Sequence, residues 1–415
     1  LIIFIFLVLA LIIFINFQNP DKLKSFINKY LWPYTPIKIQ VILKTLYDKN
    51  YVNQFLNDYN VKFLPNTQFT KLDFRKHKLD FLTNSTGLYN KKTVRKSFYI
   101  ELVDDDIWII DNLGSIYSLT KDDNFKEESV VKNYDRILSN IKPYQILDTL
   151  IVDKKIYFSF VTKNGNCYRF NIFFSVINKK ELNFKNFFTP SECMGSIIQG
   201  GRMQKYSHMK NEGLLFTIGD SSTPDFIGGD AQNNSSIYGK IIFKKFSNQD
   251  NFTIISKGHR NPQGLLVDDN NIISTEHGPR GGDEINKIAF GKNYGWPIAS
   301  YGSSYSKKDL KYKKSHENHG FEEPIFSFVP SIGISEIIKI PEDFNENWKN
   351  NFLIASLNGH SLYRVKFSKD LKKIIFYEKI FIGERIRDLK YDFNSKLILI
   401  ALESKGNVGL IKNLS

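Results

Sequence analysis

The sequence predicts an all-β fold, a six-bladed β-propeller, preceded by one transmembrane helix and a short, partly helical spacer. Three observations predict it. From about Val61 onward, short β-rich runs alternate with Asn, Asp and Gly turns. One theme (apolar run, acidic turn, second apolar run, loop, third strand) recurs six times, with starts about 45 to 70 residues apart. Ahead of it, residues 1–17 read LIIFIFLVLALIIFINF, with Asn16 the single polar residue.

Residues 1–17 sit at the lower length limit for crossing a bilayer. No small-residue cleavage site precedes Gln18, so an uncleaved anchor is expected. The body is then expected outside the cytoplasm, in a bacterial periplasm. Residues 18–60 read as a spacer, with apolar residues at 3–4 spacing over residues 37–56 that suit a helix. Residues 61–415 form the propeller. Its six copies begin at Tyr99, Tyr144, Gly201, Pro262, Gly333 and Arg385. A single blade leaves its faces half covered; a ring of them buries the faces and protects most edges. A β-sandwich does not accommodate six copies. The run KLDFRKHKLDFL before the first copy is a candidate for the strand that closes the ring.

The net charge of +14 is carried by scattered lysines, with no arginine-rich arm, so nucleic acid is not an expected partner. Cys167 and Cys193 form no CxxC motif. One disulfide between them and two unpaired core cysteines are both open.

Residues 258–302, GHRNPQGLLVDDNNIISTEHGPRGGDEINKIAFGKNYGWPIASYG, hold the densest group of charged, imidazole and glycine residues. Pro262 and Gly264 interrupt the first run, and STEHGPRGGDE reads as a loop. Loops on a rigid ring are where such groups act.

This block resembles the signature of the soluble quinoprotein glucose/sorbosone dehydrogenase family, the pyrroloquinoline quinone (PQQ)-dependent aldose dehydrogenases. TIGD ending at Asp220, VPSIG ending at Gly333 and RIRD starting at Arg385 follow in the family's order. The match runs from about Gly195 to the C-terminus, is weak from Tyr99 to Gly195 and is absent before that. The resemblance implies the same six-bladed propeller, a small-molecule sugar substrate, and hydride transfer from sugar C1 to PQQ. It implies that Arg260 and Asn261 contact PQQ from one side. Arg385 and Arg387 contact it from the other, with strand alternation turning one of them to the site. Arginine's planar fork suits carboxylates. His277 and Asp283 would line the pocket, and the carbonyls of Gly278 and Pro279 would hold calcium, which accepts hard oxygen ligands. Each residue also has a structural reading: an Arg-Asn-Pro turn, arginines paired with channel acids, a loop histidine, and Asp283 and Glu284 serving only the loop. Tyr294, Trp296 and Pro297 read as packing.

Two positions depart from the family pattern. The catalytic base is a His just before a Gly-Gly-Arg turn; ahead of Gly200-Gly201-Arg202 that position is Ile198, which accepts no proton. Asp220, which would orient the base, is retained. His208 lies in a run that reads as a hairpin tip aimed away from the channel. Asn358 stands where a lysine is expected. A catalytically degenerate, membrane-anchored propeller that binds a ligand or partner is therefore the alternative function.

Overall fold

The computed structural model describes residues 62–63, 72–82, 85–86, 94–120, 127–130, 141, 143–178, 181–194, 199–220, 229–247, 251–304 and 312–414. All belong to the unit spanning Val52–Ser415. The expected anchor over residues 1–17, the spacer helix and Ile198 lie outside the described residues. Among the described residues, no helix is long and apolar enough to cross a membrane.

Six sheets of four or five strands stand as blades around a central channel. Their innermost strands are Phe98–Val103, Gln145–Val152, Gly200–His208, Pro262–Asp268, Ile334–Lys339 and Ile386–Asp392, for blades one to six. Each packs on the next, and the sixth packs on the first, so the ring is closed. The closing element is Leu72–Lys78, from the run marked in the sequence. It pairs antiparallel with Asn407–Asn413 as the outermost strand of blade six. One blade thus joins early chain to late chain and removes the free edge that an open ring would leave. Lys62–Phe63 adds a short parallel strand to blade five.

Each seam between blades has its own apolar cluster. Phe158 and Ile110 lie between blades one and two, Phe170 and Phe216 between two and three, and Leu215 and Leu265 between three and four. Ile285 and Ile354 follow between four and five, Leu353 and Ile400 between five and six, and Ile100 and Leu399 between six and one. Full burial of one such side chain stabilises by about 1.5–3 kcal/mol, so the seams hold the ring. On the channel side, each seam is also joined by a hydrogen bond. Glu101 accepts from Thr149 at 3.0 Å, Asp148 from the Met203 N–H at 2.9 Å, and the Gln263 carbonyl from Arg202 at 2.7 Å. The Ser335 carbonyl accepts from Thr275 at 2.6 Å, the Ile386 carbonyl from Ser335 at 2.7 Å, and Asp388 from the Ile100 N–H at 2.9 Å.

Five of the six inner strands carry a bulge at their N-terminal end. In the pairing with the second strand, Leu147, Gly201 with Arg202, Gln263, Ser335 with Glu336, and Arg387 fall at the register shifts. A bulge re-aims side chains and bends the strand. Here it sets Arg202, Gln263, Glu336 and Arg387 at one end of the channel. Blade three shows what the bend requires. Gly201 has φ +96°, and a Cβ there would stand 2.3 Å from Leu147 Cβ.

Blade four carries the longest excursion. Between its strands Asp283–Ile288 and Phe326–Phe328, the chain lends Lys292–Asn293 to blade three and folds over the channel end through Trp296 and Ser300. In blade two, a disulfide joins Cys167 and Cys193, whose Cα atoms are 5.3 Å apart.

Candidate functional site

Residues 258–302 contribute both the inner strand of blade four and the segment that covers it. Arg260 and Asn261 immediately precede that strand, where Pro262 can begin it without a backbone donor. The Arg260 carbonyl accepts the Asp220 N–H at 2.8 Å. Asp220 itself ends TIGD in blade three, and its carboxylate accepts the Trp296 indole N–H at 3.0 Å. The Arg260 guanidinium lies over the Trp296 ring, 5.2 Å from its centre. Trp296 packs as the sequence predicts, against Ala231 and Tyr312, and does more: one indole holds Asp220 by its edge and Arg260 by its face. Indole offers both a donor and a π surface, and only the fold places them against residues 36 and 76 positions away.

Arg260 also donates to the His277 carbonyl at 3.2 Å, and its backbone N–H donates to Glu276 at 3.1 Å. His277 Nδ1 meets the Asn261 side-chain nitrogen at 3.2 Å. Asn261 Oδ1 accepts from Gln263 at 2.8 Å, and Gln263 Oε1 accepts from Arg387 at 2.9 Å. Arg387 and Arg385 both bind the fully buried Glu403, at 2.9 and 2.6 Å. Burial opposes the Glu403 charge, but Arg387 and Arg385 outweigh it and hold the carboxyl well below the ordinary range. The sequence expectation that one arginine of RIRD faces the site is corrected here. The two are separated by one residue, share a face, and end on one carboxylate. Burial holds His277 below its ordinary value; Asp283 opposes this, while Arg260 and Arg387 add to it.

Arg260, Asn261, His277, Arg385 and Arg387 are thus linked in one hydrogen-bonded run at one end of the channel. Gln263 and Glu403 are the members that sequence reading missed. Gln263 follows Pro262 in a strand-like run, and only the bulge turns it toward Arg387.

Asp283 does not present a free carboxylate. It is fully buried, accepts from the N–H groups of Gly278 at 3.1 Å and Ile334 at 3.0 Å, and also binds the Ser331 hydroxyl. Its work is to hold the Gly278 loop against blade five, so it serves the loop rather than the pocket. That loop tolerates no side chain: a Cβ on Gly278 would meet the Gly282 carbonyl oxygen at 2.1 Å. Among the described residues, no hydrogen bond ends on the Gly278 carbonyl. That oxygen is suited to a hard cation, which takes carbonyl ligands without needing a carboxylate. Glu284 also turns inward. Asn286 bridges it to Glu276, at 3.2 and 3.0 Å. Burial, then the neighbouring Glu276, pushes its carboxyl well above the ordinary range.

Below this layer lies a charge network absent from the sequence reading. Arg202, 2% exposed, contacts Glu336 at 2.6 Å, Asp148 at 2.9 Å and Asp388 at 3.1 Å. Its Nη2 donates to the Arg387 carbonyl at 2.8 Å, beneath the run above. Beside it, Lys390 contacts Glu101 at 3.1 Å. Burial opposes the Arg202 charge, but Glu336, Asp148 and Asp388 together outweigh it and hold the guanidinium well above its ordinary value. The three carboxylates are close enough to hold a metal ion, but the guanidinium occupies the cation's place. Burial pushes Glu101 and Glu336 up to about 7, and Asp148 to about 6.

His208 lies at the far end of the blade-three inner strand, beside the turn at Met209 and Lys210, against Tyr206, Phe243 and Phe290. Eight strand steps from Gly200 amount to about 26 Å, so it is no substitute for the base missing at residue 198. Asn358 donates to the Ser331 carbonyl at 3.4 Å.

Comparison with known proteins agrees with this geometry. Residues 146–412 match the family described as Glucose / Sorbosone dehydrogenase, a match that reaches further toward the N-terminus than the motifs alone. The Aldose sugar dehydrogenase YliI of Escherichia coli (strain K12) is 34% identical over 159 residues, 37% of this chain and 42% of that protein. The chain spans about half, or less, of the length of the curated relatives it matches. Among solved structures, the soluble aldose sugar dehydrogenase of Escherichia coli in its apo form superposes with a TM-score of 0.65 at 19% identity. It covers 82% of this chain and 99% of that one. The PQQ-bound aldose sugar dehydrogenase of Streptomyces coelicolor gives 0.54 at 17%, covering 83% and 99%. At these identities the two structures speak for the six-bladed fold.

Proposed function

We propose a function from one premise: the chain belongs to the glucose/sorbosone dehydrogenase family. The channel mouth binds PQQ, and the protein descends from PQQ-dependent dehydrogenases that oxidise an aldose at C1. The observation that carries this reading is the single hydrogen-bonded run joining Arg260, His277, Asn261, Gln263, Arg387, Glu403 and Arg385. Arg260, Arg385 and Arg387 supply positive charge for the cofactor's carboxylates. Asn261 and His277 contact its edge, and the Gly278 and Pro279 carbonyls hold calcium. Bound there, PQQ supplies a quinone that accepts a hydride. Glu403 keeps both arginines extended, because a buried carboxylate paired twice leaves them few other positions. Trp296 keeps Arg260 over the pocket and Asp220 at its wall.

What the site lacks is a proton acceptor at residue 198. Loss of a general base typically costs 10²–10⁴-fold in rate. With Asn358 in place of the family's lysine, this favours the second reading: a membrane-anchored propeller that binds PQQ or a related ligand, or a partner, with little or no turnover. Titrating the full chain in detergent with PQQ and calcium, then assaying dye reduction with a panel of aldoses, separates the two. Saturable binding with weak turnover that rises 10²–10⁴-fold in Ile198→His is the expected result. No PQQ binding sinks the cofactor reading, and efficient turnover by the wild-type chain sinks the account of Ile198.

We further place the propeller outside the cytoplasm, in a bacterial periplasm. The apolar run over residues 1–17 and the Cys167–Cys193 disulfide support this, since such bonds persist in oxidising compartments. Thiol alkylation in intact cells before lysis tests it; two freely alkylated cysteines would contradict it.

A further inference from the structure

The direction of the hydrogen bonds at the channel mouth can be read from one end. Arg387 Nη1 contacts Gln263 at 2.9 Å, and a guanidinium only donates. The Gln263 atom it meets is therefore the amide oxygen, and the Gln263 nitrogen is the one that donates to Asn261 at 2.8 Å. Asn261 Oδ1 receives that bond and a second, from the Gly200 N–H at 3.2 Å. Two independent donors thus set the Asn261 amide, and its nitrogen faces His277 Nδ1 at 3.2 Å. An amide nitrogen accepts no hydrogen bond. Nδ1 must then be the acceptor, and the proton of the neutral ring sits on Nε2. Nε2 is buried without a partner among the described residues. His277 lines a small cavity with Arg260, Gly278, Trp296 and Ser300.

We infer that the Arg387–Gln263–Asn261 chain locks His277 in the Nε2–H tautomer, as a donor to an acceptor oxygen of the bound ligand. The chemical class it serves is a carboxylate or quinone oxygen. The imidazole nearest the site is accordingly not a replacement for the base missing at residue 198, because its one free nitrogen already carries a proton. Gln263 becomes a positioning residue that acts through Asn261 and His277, and the amide orientations of Gln263 and Asn261 pass on the fixed polarity of Arg387. The Gly200 contact ties the same chain to the Gly-Gly-Arg turn of blade three. The tautomer follows from geometry alone, while the ligand role rests on the PQQ reading above.

The test is a two-bond 1H–15N correlation spectrum of the full chain in detergent with 15N-labelled histidine rings, His277 being assigned by its loss in His277→Gln. Nε2 should appear protonated and Nδ1 unprotonated. In Asn261→Asp, whose carboxylate can only accept, the proton should move to Nδ1. A wild-type ring protonated on Nδ1, or a tautomer unchanged in Asn261→Asp, overturns the inference. Adding PQQ with calcium should shift the Nε2–H resonance while leaving the tautomer as it is. By equilibrium titration, His277→Gln, which keeps a donor, should hold PQQ within about threefold, and His277→Leu should lose about tenfold or more. Equal affinity in His277→Leu refutes the donor role. Absence of PQQ binding beside an Nε2–H ring removes the cofactor reading and leaves the locked tautomer standing.

Discussion

Replacing Arg202 with methionine removes the cation that three buried carboxylates contact directly, leaving them the more distant Lys390. At contacts of 2.6, 2.9 and 3.1 Å and an effective dielectric of about 20, each attraction is on the order of 5 kcal/mol. Desolvation of each ion, several kcal/mol, offsets much of this. The variant keeps the carboxylates buried and loses their nearest counter-charge, so the expected net loss is about 3–5 kcal/mol at pH 8. The loss must also depend on pH. Burial already raises Glu336 and Asp148 above their unfolded values, and without Arg202 both rise further. The folded state then binds more protons than the unfolded one across that window, and its stability falls as pH rises. The difference between wild type and Arg202→Met should therefore shrink by roughly 1–2 kcal/mol between pH 8 and pH 5.5, since a tenfold change in proton affinity is worth about 1.4 kcal/mol. Urea unfolding at both values, followed by circular dichroism, measures it. A loss below about 1 kcal/mol, or one equal at the two pH values, would refute the network as described.

Wild type should itself become more stable from pH 8 toward pH 5, by a few degrees in Tm, since burial raises Glu101 and Glu336 to about 7. Below about pH 4.5 the trend should reverse, because Glu403 is held below its unfolded value and its stabilisation is lost as pH falls; a Tm that rises from pH 5 to pH 8 contradicts the first sign, and one that goes on rising as pH falls below 4.5 contradicts the second. Gly201→Ala should cost at least about 3 kcal/mol, having both a positive φ and a Cβ against Leu147, whereas Gly165→Ala, with open space around it, should cost about 1. Similar losses at the two glycines in urea melts would argue against the bulge geometry. The double change Cys167→Ser and Cys193→Ser opens a loop of 26 residues' separation and should cost about 3.5 kcal/mol, read from the same melts; no change in midpoint would mean the bond does not form.

The fold was largely legible in the sequence because a propeller repeats its information. Six copies of strand, acidic turn and strand declare six blades, and each blade is a local object whose hairpins join neighbouring residues. Even the closing strand, Leu72–Lys78, could be marked from its composition, although its partner at Asn407–Asn413 lies more than 300 residues away. The site block was legible for a related reason: RNPQG and EHGPRGGDE straddle strand ends, and their Pro and Gly residues are ones that strand interiors disfavour.

What the sequence by itself determined was therefore the blade count, the order of the chain around the ring, and the segment that carries the candidate site. Only the tertiary structure decided which side chains meet. Arg202, Asp148, Glu336 and Asp388 come from four blades, and nothing local to any of them records the other three. Gln263 and Trp296 read as strand and packing until a bulge turns one toward Arg387 and the long excursion of blade four lays the other under Arg260. The physical reason is the channel: ring closure brings six strand ends to one axis, and a one-residue bulge chooses which side chain each of five strands sends there.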